Sequence, residues 1–206
     1  MLDIQNYTSF VTAILVFQAV PGAGTIAILD ATARQGRAAG MAAVLGTLLG
    51  DLVFMVGAAL GLAALMQARP VVFQALQWFG VAYLVWLGVQ LLRSPASGGP
   101  AQPAPAQPAA AYFRKAVLVS LTNPKVLLFF VAFFPLFLKP GASAATLPVM
   151  MLHVTVLSLA YQAALVLVGN LIAVRLAGFA GARRAATRLA GLALIGLGAK
   201  LASGVR

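Results

Sequence analysis

The sequence has no cysteine, no glutamate, a single histidine and only three acidic side chains. Without cysteine, disulfides and thiolate metal sites are excluded. A lone His153 argues against a histidine-rich zinc or haem site, so we expect no metal and no cofactor. Charged residues make up 8 % of the chain, against about 25 % in soluble domains. So few charges cannot form a polar shell, which excludes a soluble enzyme and a disordered chain.

Long apolar runs take the place of the missing charges. Hydrophobic residues make up 62 % of the 206 residues, and a membrane-spanning helix needs about 20 mainly apolar residues in succession. Six segments meet this requirement, at about 5–29, 39–67, 70–92, 114–138, 146–173 and 185–203. The sequence therefore predicts an all-α polytopic membrane protein with six transmembrane helices in a lipid bilayer.

The positions of the basic residues indicate how the chain is oriented across the membrane. They outnumber the acidic ones by 14 to 3, but they stand singly or in pairs between apolar segments. No basic run is long enough to follow a phosphate backbone, so we expect no nucleic-acid partner. Most of them lie in the loops after the first, third and fifth spans. The positive-inside rule places these loops in the cytoplasm and both termini on the opposite side.

A proline- and alanine-rich segment at 94–113 divides the chain into two halves, 1–93 and 114–206. Its composition is typical of a solvated linker. Each half carries three predicted spans, and an odd number means that the halves face opposite ways across the membrane. Two inverted three-helix repeats are a common plan for secondary transporters.

The first span of each half contains a helix-breaking motif. Pro21 and Gly22, with Gly24 close by, interrupt the first span, and Asn123-Pro124 interrupts the fourth. A proline inside a helix leaves a backbone carbonyl without its donor. In a bilayer this is tolerated where the irregular backbone lines a protein-enclosed or water-filled site. We expect Pro21, Gly22, Gly24 and Pro124 to line such a site, although a simple kink remains the alternative.

Two opposite charges are predicted near mid-membrane, Asp51 in the second span and Lys125 in the fourth. A charge at a helix centre costs about 2.5–3.5 kcal/mol, so both should face the bundle interior and pair, directly or through water. Asp51 is the only acidic residue predicted at this depth, which makes it a candidate proton carrier. The alternative is a structural ion pair between the two spans.

Two further patterns lie in the second and fifth spans. Thr155, Ser158 and Gln162 share one face of the fifth span, where they would either line the pathway or bond neighbouring helices. Glycines form a stripe along the second span, a device that lets helices approach closely. The stripe contains Gly46, Gly50, Gly57 and Gly61. It would serve internal packing or a homodimer.

The ordered motifs resemble the LysE/RhtB family of amino-acid exporters. The motifs are Pro21-Gly22, Gly50-Asp51, Ala82-Tyr83-Leu84, and Asn123-Pro124-Lys125 followed by Phe129-Phe130 and Phe133-Phe134-Pro135. The resemblance implies export of an amino acid or a derivative from the bacterial cytoplasm across the inner membrane, with protons as the exchanged ion. It implies a transporter and no enzyme. Ala23 replaces the second proline of the family's Pro-Gly-Pro motif, and Asp30 stands where a small hydroxyl residue is usual.

By this reading, Lys125 and backbone N–H groups at the broken helices would meet the substrate carboxylate, and Asp51 or freed carbonyls would meet its ammonium group. Asn123 and the fifth-span polar residues would lie beside them. One alternative is a cation or metal efflux carrier, or a channel, of related architecture. A remote alternative is an intramembrane aspartyl protease, since Gly50-Asp51 matches part of such a motif. That chemistry needs two facing carboxylates, and Asp30 is predicted near the cytoplasmic end of its helix.

Overall fold

The computed structural model describes residues 4–20, 22–68, 70–93, 107–139, 141–176 and 180–203. These ranges contain seven helices, and apart from an isolated Ile4–Leu138 bridge they contain no β-structure. The helices are α1 (Tyr7–Ala19), α2 (Ala23–Ala68), α3 (Pro70–Arg93), α4 (Ala109–Leu121), α5 (Pro124–Phe137), α6 (Thr146–Leu176) and α7 (Ala180–Ala202). The all-helical class predicted from the sequence is confirmed.

Several of these helices have the length and apolarity of membrane spans. Within the described ranges these are Ala23–Leu62, Val71–Gln90 and Thr146–Val168. The helices α4 and α5 meet at a 60° bend and make a fourth candidate span if the pair is counted as one. Large apolar side chains face outward along them. Leu60 is 69 % exposed and Leu152 is 61 % exposed. An apolar surface of this extent is that of a polytopic membrane protein.

The long helix α2 is a hairpin of two antiparallel arms, 23–35 and 37–68. Gly36 sits between them at φ 76° and ψ −168°, a conformation that only glycine adopts without strain. In a straight helix Thr32 and Gly40 would lie about 12 Å apart, yet a Cβ placed on Gly40 would collide with the Thr32 hydroxyl. The sequence predicted a loop between the first two spans, and a single glycine makes this reversal instead.

Both proline motifs coincide with gaps between half-length helices. α1 ends at Ala19 and α2 begins at Ala23, while α4 ends at Leu121 and α5 begins at Pro124. Pro124 is favoured as the first residue of a helix because that position needs no N–H donor. Asn123 caps α5 by accepting a hydrogen bond of 3.1 Å from the Lys125 backbone N–H. Pro21 lies outside the described residues.

The described boundaries differ from the predicted ones at the linker. α4 begins at Ala109, five residues before the predicted span, because three consecutive alanines favour a helix and Pro108 already stands at its N-cap. Residues 109–113 are therefore helical, and residues 94–106 of the predicted linker lie outside the described part of the chain.

Two packed cores lie on opposite sides of the middle of the bundle. The larger core joins α1 and α5 through buried aromatic rings. The rings of Phe10 and Phe133 lie 5.2 Å apart, and those of Phe17 and Phe129 stack at 3.6 Å. The smaller core joins both arms of α2 to α4 and α6, and its buried side chains include Ile28, Ala31, Ala43, Val44, Tyr112, Ala116 and Val166.

The glycine stripe on α2 packs within the chain over only half its length. A Cβ on Gly46 would collide with the Phe113 carbonyl of α4, and one on Gly50 would lie 2.5 Å from the Ser120 Cβ. The predicted close approach is thus made with α4. Gly57 and Gly61 have no atom within 4 Å of their Cβ positions, and they line an apolar groove of about 450 Å³ between α2, α3 and α5.

Candidate functional site

A polar layer separates the two cores, and four segments of the bundle contribute to it. Along the second arm of α2, Leu48 belongs to the smaller core and Met55 to the larger one, with Asp51 between them. Along α6, Val154 and Val166 belong to different cores, with Ser158 and Gln162 between them. The breaks between α1 and α2 and between α4 and α5 fall in the same layer. The helix ends and the polar side chains therefore meet at one level.

A small cavity of about 40 Å³ opens in this layer. It is lined by Phe17, Gln18, Val20, Gly22, Gly24, Thr25, Thr47, Asp51, Ser120, Asn123, Lys125, Val126 and Gln162. A space of this volume holds one or two water molecules. It brings together six of the residues singled out from the sequence: Gly22, Gly24, Asp51, Asn123, Lys125 and Gln162.

Asp51 is held by a neighbouring hydroxyl. The Ser120 Oγ donates a hydrogen bond of 2.6 Å to Asp51 Oδ1, a short charge-assisted contact that joins α2 to the end of α4. The direct ion pair with Lys125 that the sequence allowed is absent, since no oxygen of Asp51 lies within 4.0 Å of the Lys125 amine. The reason is geometric, because Lys125 lies beyond the 60° bend, on α5.

The Lys125 amine is directed to an aromatic face. Its Nζ lies 4.7 Å from the centre of the Phe17 ring and 3.6 Å from the Cβ position of Gly22. A cation over an aromatic ring gains about 0.5–2 kcal/mol. Tyr83 donates a hydrogen bond of 3.0 Å to the Lys125 backbone carbonyl, which fixes the start of α5. Among the described residues, no side chain or carbonyl accepts a hydrogen bond from Nζ, so this cation is available to an anion.

The polar face of α6 is divided between two roles. Gln162 lines the cavity and is 4 % exposed, and its Oε1 has no hydrogen-bond partner among the described residues. Thr155 does not line the cavity, and it donates to the Met151 carbonyl of its own helix at 2.9 Å. Ser158 is buried one turn away from Gln162 and also lies outside the cavity lining. Pro124 begins α5 beside the cavity.

Some lining residues were missed by the sequence analysis. Thr25, Thr47, Ser120 and Phe17 were not predicted to line the site, although three of them carried a usable signal. Thr47 precedes Asp51 by four positions and so shares its helix face. Ser120 precedes Pro124 by four positions, where a proline frees a carbonyl. Phe17 precedes Pro21 by four positions and carried the same signal, but its contact with Lys125 depends on how α1 packs against α5.

Asp30 lies away from the cavity, at the far side of the smaller core. Its carboxylate pairs with Arg34 one turn along the same arm and lies 3.6 Å from the Lys115 amine of α4. The contact with Lys115 ties the first arm of α2 to α4. Asp30 is therefore neither a partner of Asp51 nor a lining residue of the site.

The site carries two opposite charges that do not neutralise each other. The described residues contain no cluster of three metal-ligating side chains. Broken helices that meet around a small charged cavity in a helical membrane bundle are typical of the class of membrane transporters.

Comparison with known proteins identifies the particular family. Residues 15–204 match the family described as LysE type translocator, and the chain belongs to this family. It is 36 % identical to an uncharacterized membrane protein of Pseudomonas aeruginosa, over 98 % of this chain and 97 % of that one. It is 31 % identical to the leucine efflux protein of Klebsiella pneumoniae and 30 % identical to that of Salmonella typhimurium, over 97 % of this chain and 96 % of each. No solved structure matches the chain.

Membership confirms the resemblance derived from the motifs. Members of this family are transporters and not enzymes, so the protein is a membrane transporter and the protease alternative is wrong.

Proposed function

We propose that the protein exports an amino acid with an aliphatic side chain from the cytoplasm in exchange for protons. The observation that carries this proposal is that Asp51 and Lys125 line one cavity without pairing with each other. A free amino acid is a zwitterion, and it presents one group to each of these charges. The leucine efflux relatives support an aliphatic substrate.

The substrate carboxylate binds Lys125 at the beginning of α5, where the helix dipole also favours a negative charge. The ammonium group binds Asp51. Phe17, Val20 and Val126 supply the apolar part of the lining and receive the side chain. The cavity of about 40 Å³ is far smaller than the roughly 300–1,000 Å³ of small-molecule pockets, so it must widen to bind an amino acid.

Transport proceeds by alternating access in a six-span bundle of two inverted repeats. Each repeat begins with a broken span, formed by α1 with the 23–35 arm in residues 1–93 and by α4 with α5 in residues 114–206. The aromatic core closes the periplasmic side, while the smaller core and the Asp30–Lys115 contact close the cytoplasmic side. The linker 94–113 lies in the cytoplasm and both termini are periplasmic, with the protein in the bacterial inner membrane. The breaks between α1 and α2 and between α4 and α5 act as the hinges.

Asp51 couples export to proton entry. A proton arriving from the periplasm neutralises the carboxylate, and the ammonium group then loses its charged partner and leaves outward. Deprotonation toward the cytoplasm restores the site for the next substrate. Thr155 and Ser158 extend the polar face of α6 along this route. The 2.6 Å bond from Ser120 orients the carboxylate in the charged state.

The test is leucine efflux from loaded proteoliposomes with an acidic exterior. The pH gradient is expected to accelerate leucine efflux by the unmodified protein. In Asp51→Asn, the gradient is expected to have no effect on the rate of the remaining leucine efflux. Asp30→Asn is the matched control, and it keeps the gradient dependence because Asp30 lies outside the cavity. If Asp51→Asn responds to the gradient as the unmodified protein does, the proton-carrier role is wrong. If metal ions move and leucine does not, the cation-carrier alternative replaces this proposal.

A further inference from the structure

The starting point is an unsatisfied hydrogen-bond acceptor on a side chain that lines the small cavity. Gln162 lines the cavity and is 4 % exposed, and its Oε1 has no hydrogen-bond partner in the described structure. Buried polar groups are almost always hydrogen-bonded, and leaving one unpaired costs the free energy of its desolvation. Something that enters the cavity must therefore donate a hydrogen bond to this oxygen.

Three donors that line the same cavity are directed elsewhere. The Thr47 hydroxyl donates to the Ala43 carbonyl of its own helix at 3.0 Å. The Ser120 hydroxyl donates to Asp51. The Lys125 amine lies over the Phe17 ring and makes no hydrogen bond to Gln162. The donor that Gln162 requires is thus not supplied by these side chains.

Asp51 presents a second acceptor to the same space. A carboxylate has two oxygens and about four lone-pair directions, and within the described residues only Oδ1 accepts a hydrogen bond, from Ser120. Asp51 and Gln162 lie on different helices, α2 and α6, and both line the cavity. A ligand that satisfies both must carry at least two donors on one small group, and a positive charge suits Asp51.

We propose that Gln162 and Asp51 together form a subsite for a primary ammonium group. This rests on the proposed function and narrows its substrate class to amino acids with a free α-amino group. An ammonium has three N–H donors and satisfies both acceptors at once. An N-acyl amino acid has one uncharged N–H and an α-hydroxy acid has one hydroxyl, so each leaves a buried acceptor unpaired. A site built to pair with a polar group rejects such analogues strongly.

The first measurement is competition against labelled leucine in proteoliposomes. Unlabelled leucine is expected to compete, whereas N-acetylleucine and 2-hydroxy-4-methylpentanoate compete at least about 100-fold more weakly. Gln162→Met keeps the shape and removes the acceptor. It should raise the KM for leucine about tenfold or more and reduce the discrimination against the hydroxy acid. Gln162→Glu keeps an acceptor and should retain the discrimination.

Gln77→Met is the matched control, because Gln77 is also a buried glutamine, but it bonds the Pro135 carbonyl at 2.9 Å away from the cavity. It should leave the selectivity unchanged. The inference is overturned if Gln162→Met transports leucine with unchanged KM and unchanged discrimination. It is equally overturned if N-acetylleucine competes with the unmodified protein as well as leucine does.

A binding measurement separates this inference from the proposed function. 3-Methylbutylamine carries the ammonium group and the side chain of leucine without the carboxylate. It should raise the melting temperature of the purified protein and of Gln77→Met, but not that of Gln162→Met. If it stabilises the protein in this pattern while leucine is not transported, the export proposal fails and the subsite stands. If it stabilises Gln162→Met equally, the subsite is wrong whatever is transported.

Discussion

Two glycines on the same face of α2 should respond in opposite ways to the same substitution. An alanine Cβ at Gly50 would lie 2.5 Å from the Ser120 Cβ and 3.2 Å from the Val117 carbonyl oxygen, whereas at Gly57 no atom lies within 4 Å. Both residues belong to one helix arm, so the helix-forming preference of alanine acts equally on both. The difference between the two variants therefore measures the packing of α4 against α2.

The expected change in the free energy of unfolding follows from these distances. Ordinary van der Waals contact needs about 3.4–4 Å, so Gly50→Ala must move α4 by about 1 Å. Overpacking of this kind destabilises by roughly 1–3 kcal/mol. Gly57→Ala meets no obstacle and should stabilise by roughly 0.5–1 kcal/mol, the usual gain from replacing glycine within a helix. The displacement in Gly50→Ala also moves Ser120 away from Asp51.

Thermal melting of the purified variants in detergent, followed by size-exclusion chromatography, measures the first effect, and leucine efflux measures the second. Gly50→Ala should melt at a lower temperature and export more slowly, while Gly57→Ala should melt at or above the temperature of the unmodified protein and export normally. Equal melting temperatures for the two variants would refute the proposed contact between α2 and α4.

Two further predictions concern the hairpin turn and the topology. Gly36→Ala should destabilise the protein by about 1–2 kcal/mol, since φ 76° disfavours an L-residue. The control is Gly196→Ala, where φ is not positive and no atom crowds the Cβ position. Equal melting temperatures for the two variants would contradict the turn at Gly36. Because the chain has no cysteine, single cysteines report accessibility cleanly. Ser203→Cys should react with an impermeant maleimide in intact cells, and Ser97→Cys only in inverted vesicles; the reverse pattern would invert the proposed orientation.

Much of the fold could be predicted from composition and local pattern. The scarcity of charge and the apolar runs determined an all-helical membrane protein, and the two proline motifs lie where half-length helices meet. The start of α4 was placed five residues too late because the proline-rich composition of 94–113 masked the helix preference of its last alanines. The turn at Gly36 was not predicted, since one glycine among many gives no sign that it alone takes a positive φ.

The site was accessible from the sequence only in part. Asp51, Lys125, Asn123 and Gln162 stood out because a polar or charged group at membrane depth is costly and must face protein. Their mutual arrangement depends on the 60° bend between α4 and α5, which turns Lys125 toward Phe17 instead of Asp51. The spacing of these residues along the sequence does not predict that angle.

The amino-acid sequence by itself thus determined that the chain forms apolar helices of a membrane protein and which residues are too polar to face lipid, because the cost of transfer into hydrocarbon is a property of each side chain. Tertiary packing alone decided that Ser120 holds Asp51, that Lys125 remains separate from it, and that the Gln162 oxygen is left unpaired. Those are distances between different helices, and they arise only when the helices are packed together.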